Sequence, residues 1–135
     1  MTSVLDGVNA RQAADDGWER VCHISTLQPE RGVCALVAGR QVAIVLTWSG
    51  ELFAVGQRDP FSGAFVMSRG IVGTRHREGV DVPTLQSPLF KQCFDLRTGR
   101  CLEDDQAAVS VHGVREVDGY VEVSVAAVTR WMAPA

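Results

Sequence analysis

From Trp18 onward the chain is a succession of short apolar blocks set between turn residues. Trp-Glu-Arg-Val-Cys-His-Ile over 18–24 approximates the alternation of a half-buried strand. Val33–Val37 and Val42–Thr47 predict two more strands, joined across Ala38-Gly39-Arg40, and Ser49-Gly50 turns the chain into another over Glu51–Val55. Near the end, Val114–Val117 and Tyr120–Val125 flank Asp118-Gly119, the strongest hairpin signal present, because glycine accepts the positive φ of a type I′ turn. Residues 56–88 break this rhythm, with five glycines, and with prolines at 60, 83 and 88, and read as either a long hairpin excursion or a functional loop region. The polar, small residues 1–16 predict a flexible arm, and the segment after 126 one helical turn around Val128 and Trp131 in a C-terminal tail over 127–135. The twenty valines reinforce the reading of an all-β domain over 17–126, since β-branched residues favour strands.

At 135 residues the chain has the size of one domain and buries enough surface to need no disulfide staples. Hydrophobic residues make up 46% and charged residues 21%, as in a soluble globular protein. Twelve scattered arginines, one lysine and a net charge of −3 argue against nucleic acid as a partner. The longest apolar stretch, Val33–Trp48, is broken by Gly39, Arg40 and Gln41 and supplies no membrane span. The N-terminus shows neither the basic nor the apolar region of a secretory signal, so the expected location is cytoplasmic.

Cys22, Cys34, Cys93 and Cys101 are separated by eleven, 58 and seven residues. That spacing offers no paired zinc ligands, and buried thiols are the expectation in a reducing compartment. His23 reads as half-buried in a strand, His76 as a solvated residue of a charged turn, and His112 as a strand-end residue before Gly113. None of them is expected to act in catalysis. Glu103-Asp104-Asp105 reads as a solvated acidic loop, or alternatively as a contact for basic groups on a partner.

Two segments carry chemistry when read together. The first is Leu52-Phe53-Ala54-Val55-Gly56-Gln57-Arg58-Asp59-Pro60-Phe61-Ser62-Gly63-Ala64. The second runs Ser87-Pro88-Leu89-Phe90-Lys91-Gln92-Cys93-Phe94-Asp95-Leu96-Arg97-Thr98-Gly99-Arg100-Cys101. Together they resemble the Rieske family of [2Fe–2S] domains, in which a strand ending in Ala-Val leads into a Cys-Pro-His-x-Gly-Ala loop. A second loop, Cys-Pro-x-His, then leads into Phe-Asp-Leu-x-Thr-Gly. The resemblance spans about residues 18–125. It implies a Rieske-like antiparallel β-sandwich or barrel with a loop-rich subdomain over about 56–103.

A Rieske centre needs two thiolates and two imidazoles. Carried over position by position, its ligands fall on Asp59, Phe61, Ser87 and Phe90. A phenyl ring has no lone pair to donate, and hard oxygen donors suit iron–sulfur chemistry poorly. The cluster is therefore not expected on this chain. Instead, Asp59 is expected to accept backbone N–H bonds, and Phe61 and Phe90 to pack edge to face between the loops.

Asp59-Pro60-Phe61-Ser62-Gly63-Ala64, Met67-Ser68-Arg69-Gly70-Ile71-Val72-Gly73 and Ser87-Pro88-Leu89-Phe90-Lys91-Gln92, in a Rieske-like domain without its ligands, resemble the family of small subunits of assimilatory NAD(P)H-dependent nitrite reductases. The resemblance implies an accessory subunit with no catalytic residues, no metal and no cofactor of its own. Its partner would be a large subunit carrying FAD, [4Fe–4S] and sirohaem, which reduces nitrite to ammonium in nitrate assimilation. Arg58, Phe61, Arg69, Phe90, Lys91 and Arg97 around the loop tips are the candidate docking face. The alternatives are a Rieske-type ferredoxin electron carrier, or a degenerate Rieske interaction module of another complex.

Overall fold

A computed structural model describes residues 17–127, so the expected arm over 1–16 and the helical turn around Val128 and Trp131 lie outside the described residues. Nine strands follow one another in the described part: β1 Trp18–His23, β2 Val33–Val37, β3 Arg40–Leu46, β4 Leu52–Gly56, β5 Ile71–Arg77, β6 Val80–Gln86, β7 Cys93–Asp95, β8 Val111–Val117 and β9 Tyr120–Ala127. Three hairpins close on two-residue turns with positive φ at both positions. These are Ala38-Gly39 (49° and 80°), Glu78-Gly79 (51° and 79°) and Asp118-Gly119 (52° and 85°). That is the type I′ pattern, whose twist matches that of the flanking strands.

Residues 56–88 combine both readings: 57–70 form a loop with a 3₁₀ turn at Met67–Arg69, and 71–86 form the β5–β6 hairpin. Its signal was masked in two ways. Thr74-Arg75-His76-Arg77 is an unbroken polar run, because much of β5 is exposed. Pro83, which has no N–H to donate, sits in a strand paired on both sides, and its carbonyl accepts from Leu96 N–H at 2.9 Å. His76 consequently lies on a strand rather than in a turn, with its Nδ1 2.8 Å from an Asp81 carboxylate oxygen.

Six strands form one antiparallel sheet in the order β1-β9-β8-β4-β3-β2. Its outer strands approach one another, and Glu19 of β1 accepts from the Ala38 N–H in the β2–β3 turn at 3.0 Å. The result is a nearly closed barrel. The second sheet, β5-β6-β7, packs against it. Strands β3 and β4 serve both layers. Val42, Ile44 and Ala54 face one apolar cluster with Val37, Val121 and Val123. Ala43, Val45 and Val55 face the other, with Met67, Leu85, Phe94 and Leu96. A strand buried on both faces needs apolar side chains at every position, which is why Val42-Ala43-Ile44-Val45 shows no alternation.

Candidate functional site at the paired loop tips

The first loop leaves β4 at Gln57, which is buried and holds the loop from inside. The Gln57 side chain donates to Phe65 O (3.2 Å) and Ser68 Oγ (2.8 Å) and accepts from Ser68 N–H (2.7 Å). Its own carbonyl accepts from the N–H groups of Val66 and Met67, both at 3.0 Å. The loop ends at Gly70, where a Cβ would stand 2.2 Å from the Gln86 carbonyl oxygen. Only glycine lets the first loop come this close to the strand that feeds the second.

The second loop, Ser87–Gln92, closes through Ser87 N–H donating to Gln92 O at 2.8 Å. The two loops are joined at their centres. Ser87 Oγ donates to Asp59 Oδ2 at 2.6 Å, and both residues are 0% exposed. The other carboxylate oxygen accepts from Phe61 N–H at 2.8 Å, the bond expected of an Asp before Pro. Burial alone would push the Asp59 carboxyl upward. Hydrogen bonds from Ser87, the Phe61 N–H and Ser62 outweigh it and hold the group below its ordinary value of 3.8, so it is ionised.

The aligned ligand positions thus divide in two. Asp59 and Ser87 meet directly inside the domain, whereas Phe61 and Phe90 do not form the expected pair. The Phe61 ring faces Phe94 instead, tilted at 48° with centroids 6.2 Å apart. Phe90 is 58% exposed and Phe61 36%. Phe94, on β7, is buried in the apolar cluster and is the ring that Phe61 meets, whereas Phe90 stays exposed. A [2Fe–2S] centre does not fit here. Its place between the loops is closed by two oxygens in hydrogen-bond contact, and the phenyl groups supply no donor. Among the described residues no three His, Cys, Asp or Glu side chains converge as metal ligands would.

Arg58, Arg69 and Lys91 stand on this loop end and have no carboxylate partner among the described residues. Arg97 is engaged elsewhere, with Glu51 at 3.6 Å and the Asp81 carbonyl at 3.4 Å. Glu103 departs from the picture of a merely solvated acid. It accepts from Cys93 N–H at 2.9 Å and pairs with Arg75 at 3.1 Å, and these bonds lower its pKa against the opposing effect of burial. No local pattern announces Gln57, which acts on Phe65 and Ser68, or the contacts of Glu103 with Cys93 and Arg75, which lie ten and 28 positions away. Cys93 and Cys101 are buried thiols as expected, but Cys34 is exposed. His23 is exposed rather than half-buried, and its Nδ1 accepts from Ser25 N–H at 3.1 Å to cap a short 3₁₀ turn.

Residues 17–124 match the model of the family described as Rieske-like [2Fe–2S] domains, and the chain belongs to that family. Within it the chain belongs to the nitrite reductase small subunits. It is 40% identical over 107 residues to the NADH nitrite reductase small subunit of Salmonella typhimurium, covering 78% of this chain and 95% of that one. The solution structure of a NAD(P)H nitrite reductase small subunit from Erwinia carotovora superposes with a TM-score of 0.67 at 35% identity, covering 88% and 92% of the two chains. The chain is also 31% identical over 106 residues to the NAD(P)H nitrite reductase large subunit of Klebsiella oxytoca, which is 78% of this chain and 11% of that protein.

Proposed function

We propose that this chain is the non-catalytic small subunit of a cytoplasmic nitrite reductase that draws electrons from NADH or NADPH. The Asp59–Ser87 contact carries the reading. It occupies the centre of the loop pair with hydrogen-bonded oxygens, a donor set that suits iron–sulfur ligation poorly and so argues against electron transfer through a cluster on this chain. Six-electron reduction of nitrite to ammonium then belongs to a partner chain, with FAD, [4Fe–4S] and sirohaem on that large subunit. The stretch of a Klebsiella large subunit that resembles this chain supports the pairing, because there such a domain forms part of the large polypeptide. On this reading residues 17–126 form the functional domain, residues about 56–103 its former cluster-loop part, and 1–16 and 127–135 its flanking segments. The loop end bearing Arg58, Phe61, Arg69, Phe90 and Lys91 is the docking face.

Co-purification with the large subunit from cells grown on nitrate tests the reading. The expected eluate consumes nitrite with NADH or NADPH and shows flavin and sirohaem bands, while the isolated small chain is colourless and free of iron after anaerobic reconstitution. Two irons per isolated chain with Rieske-type absorption would favour the electron-carrier alternative. A chain that folds and binds no large subunit would leave the interaction-module alternative.

A further inference from the structure

Beside the first loop, the six-stranded sheet opens a cleft of about 390 Å³, lined in part by Arg40, Gln41, Arg58, Phe65, Ser110 and His112. Two strand ends bring these residues together. Gln57 N–H donates to Gln41 O at 3.2 Å, which sets Arg40 at the start of β3 on the same cleft as Arg58, two residues beyond β4. Arg58 is also bridged to Phe65 across the loop, so the cleft is continuous with the loop tips.

Its charge has one sign. Among the described residues no aspartate or glutamate lines it, and neither Arg40 nor Arg58 has a carboxylate partner. His112 adds no compensating charge. Its Nδ1 lies 3.4 Å from Ser124 O and its Nε2 3.5 Å from Ser110 Oγ, and burial, with Arg40 nearby, keeps its pKa below 6.5. The same bias extends over the loop tips. In residues 57–70 and 86–92 the only acid is Asp59, which is fully buried, whereas Arg58, Arg69 and Lys91 are exposed. A chain of net charge −3 thus gathers on one end cations that have no carboxylate partner among the described residues. Phe65, 53% exposed, adds an apolar surface at the mouth of the cleft.

We propose that this cleft receives an acidic segment of the large subunit, with Arg40 and Arg58 holding aspartate or glutamate side chains and Phe65 covering a neighbouring apolar residue. The identity of the partner rests on the function proposed above. A small free anion in so open a cleft would stay hydrated and screened, whereas a polypeptide brings apolar surface that excludes water and strengthens each charge contact. Arginine and exposed aromatic side chains are also the types that concentrate binding energy at protein interfaces. Charge complementarity of this kind chiefly raises the association rate and makes it sensitive to salt.

The test is the affinity of the full-length chain for the purified large subunit at low and moderate salt. The double variant Arg40→Glu with Arg58→Glu should bind about ten-fold or more weakly at low salt, with a flattened salt dependence. Arg40→Gln with Arg58→Gln should fall between it and the wild type. Arg77→Glu carries the same change per site at the far end of the β5–β6 hairpin and should bind within about two-fold of the wild type. Thermal unfolding of each variant establishes that it is folded. Wild-type binding that ignores the Arg40 and Arg58 changes overturns this inference alone. Absence of wild-type binding overturns the accessory-subunit reading and this inference with it. Saturable binding of free nitrite that Arg40→Glu abolishes would assign the cleft to a small anion, and so would also overturn the proposal.

Discussion

The six-stranded sheet and the loop tips mounted on it are held by different forces. In the sheet, Val37, Val42, Ile44, Ala54, Val121 and Val123 are at most 1% exposed and make a purely aliphatic cluster. Such packing is non-directional and tolerant of detail. At the loop tips the buried groups are polar and their bonds are directional: Ser87 to Asp59, Phe61 N–H to Asp59, and Gln57 to Ser68. Where a cluster-bearing domain would tie its loops with metal bonds, this chain ties them with a carboxylate and a hydroxyl. Loop geometry can thus be retained as a surface by hydrogen bonds to Asp59, Ser87 and Gln57, with Gln92 Oε1 the one buried side-chain oxygen among the described residues that lacks a partner.

The largest effect should come where the two regions share a residue. Phe94 is only 1% exposed, belongs to the cluster under the loops and supports the Phe61 ring. Phe94→Ala should cost about 3–5 kcal/mol in urea unfolding, and hydrogen exchange should show β5–β7 and both loops opening before the six-stranded sheet. Equal loss of protection in β8 and β9 would show that the two regions unfold as one.

Asp59→Ala should rank next, at about 2–3 kcal/mol, because it leaves the buried Ser87 hydroxyl and the partly buried Phe61 N–H without their acceptor. Its pH dependence separates charge from packing. The Asp59 pKa is lowered on folding, so its contribution is present above the unfolded value of 3.8 and is lost as pH falls through the lower folded value. The gap in melting temperature between the wild type and Asp59→Asn should therefore narrow only below about pH 3.8. A gap that is constant with pH would mean that shape, rather than charge, holds the clasp.

His112 offers a milder probe on the sheet side. Its pKa is lowered, by burial first, so stability is full above 6.5 and declines as pH falls below that value toward the folded pKa. His112→Gln should flatten that decline between pH 7 and 5 in thermal melts, and an unchanged slope would place the titration elsewhere. The smallest effect belongs to Arg97. Its contact with Glu51 is about half exposed on both sides, so Arg97→Ala should change stability by no more than about 0.5 kcal/mol. A cost of several times that would make the turn after β7 part of the clasp.

Much of the framework is legible from local signals. Asp118-Gly119 marks its hairpin because positive φ at two successive positions is a property of those two residues and their immediate neighbours. The apolar run Val42–Val45 marks a strand for a similarly short-range reason. By contrast β5 was obscured, because it is largely exposed and its strand character comes from pairing with β6 rather than from its own pattern. Expected positions fared best where the chemistry was a matter of residue type. That Phe61 and Phe90 lack a donor follows from their identity alone, but their separation does not, since Phe94 takes the place beside Phe61.

By itself, then, the sequence determined the strand-forming blocks, the tight turns and the lack of any metal donor on the side chains of Phe61 and Phe90. Each depends on the identity of a residue or on a few adjacent positions. Only the tertiary structure decided that Asp59 and Ser87, 28 residues apart, meet in one buried hydrogen bond. It likewise brought Arg40 to Arg58 without any acid between them. Contacts of this range are set by how two sheets pack and where their loops emerge, and a one-dimensional pattern does not encode which loop tips come face to face.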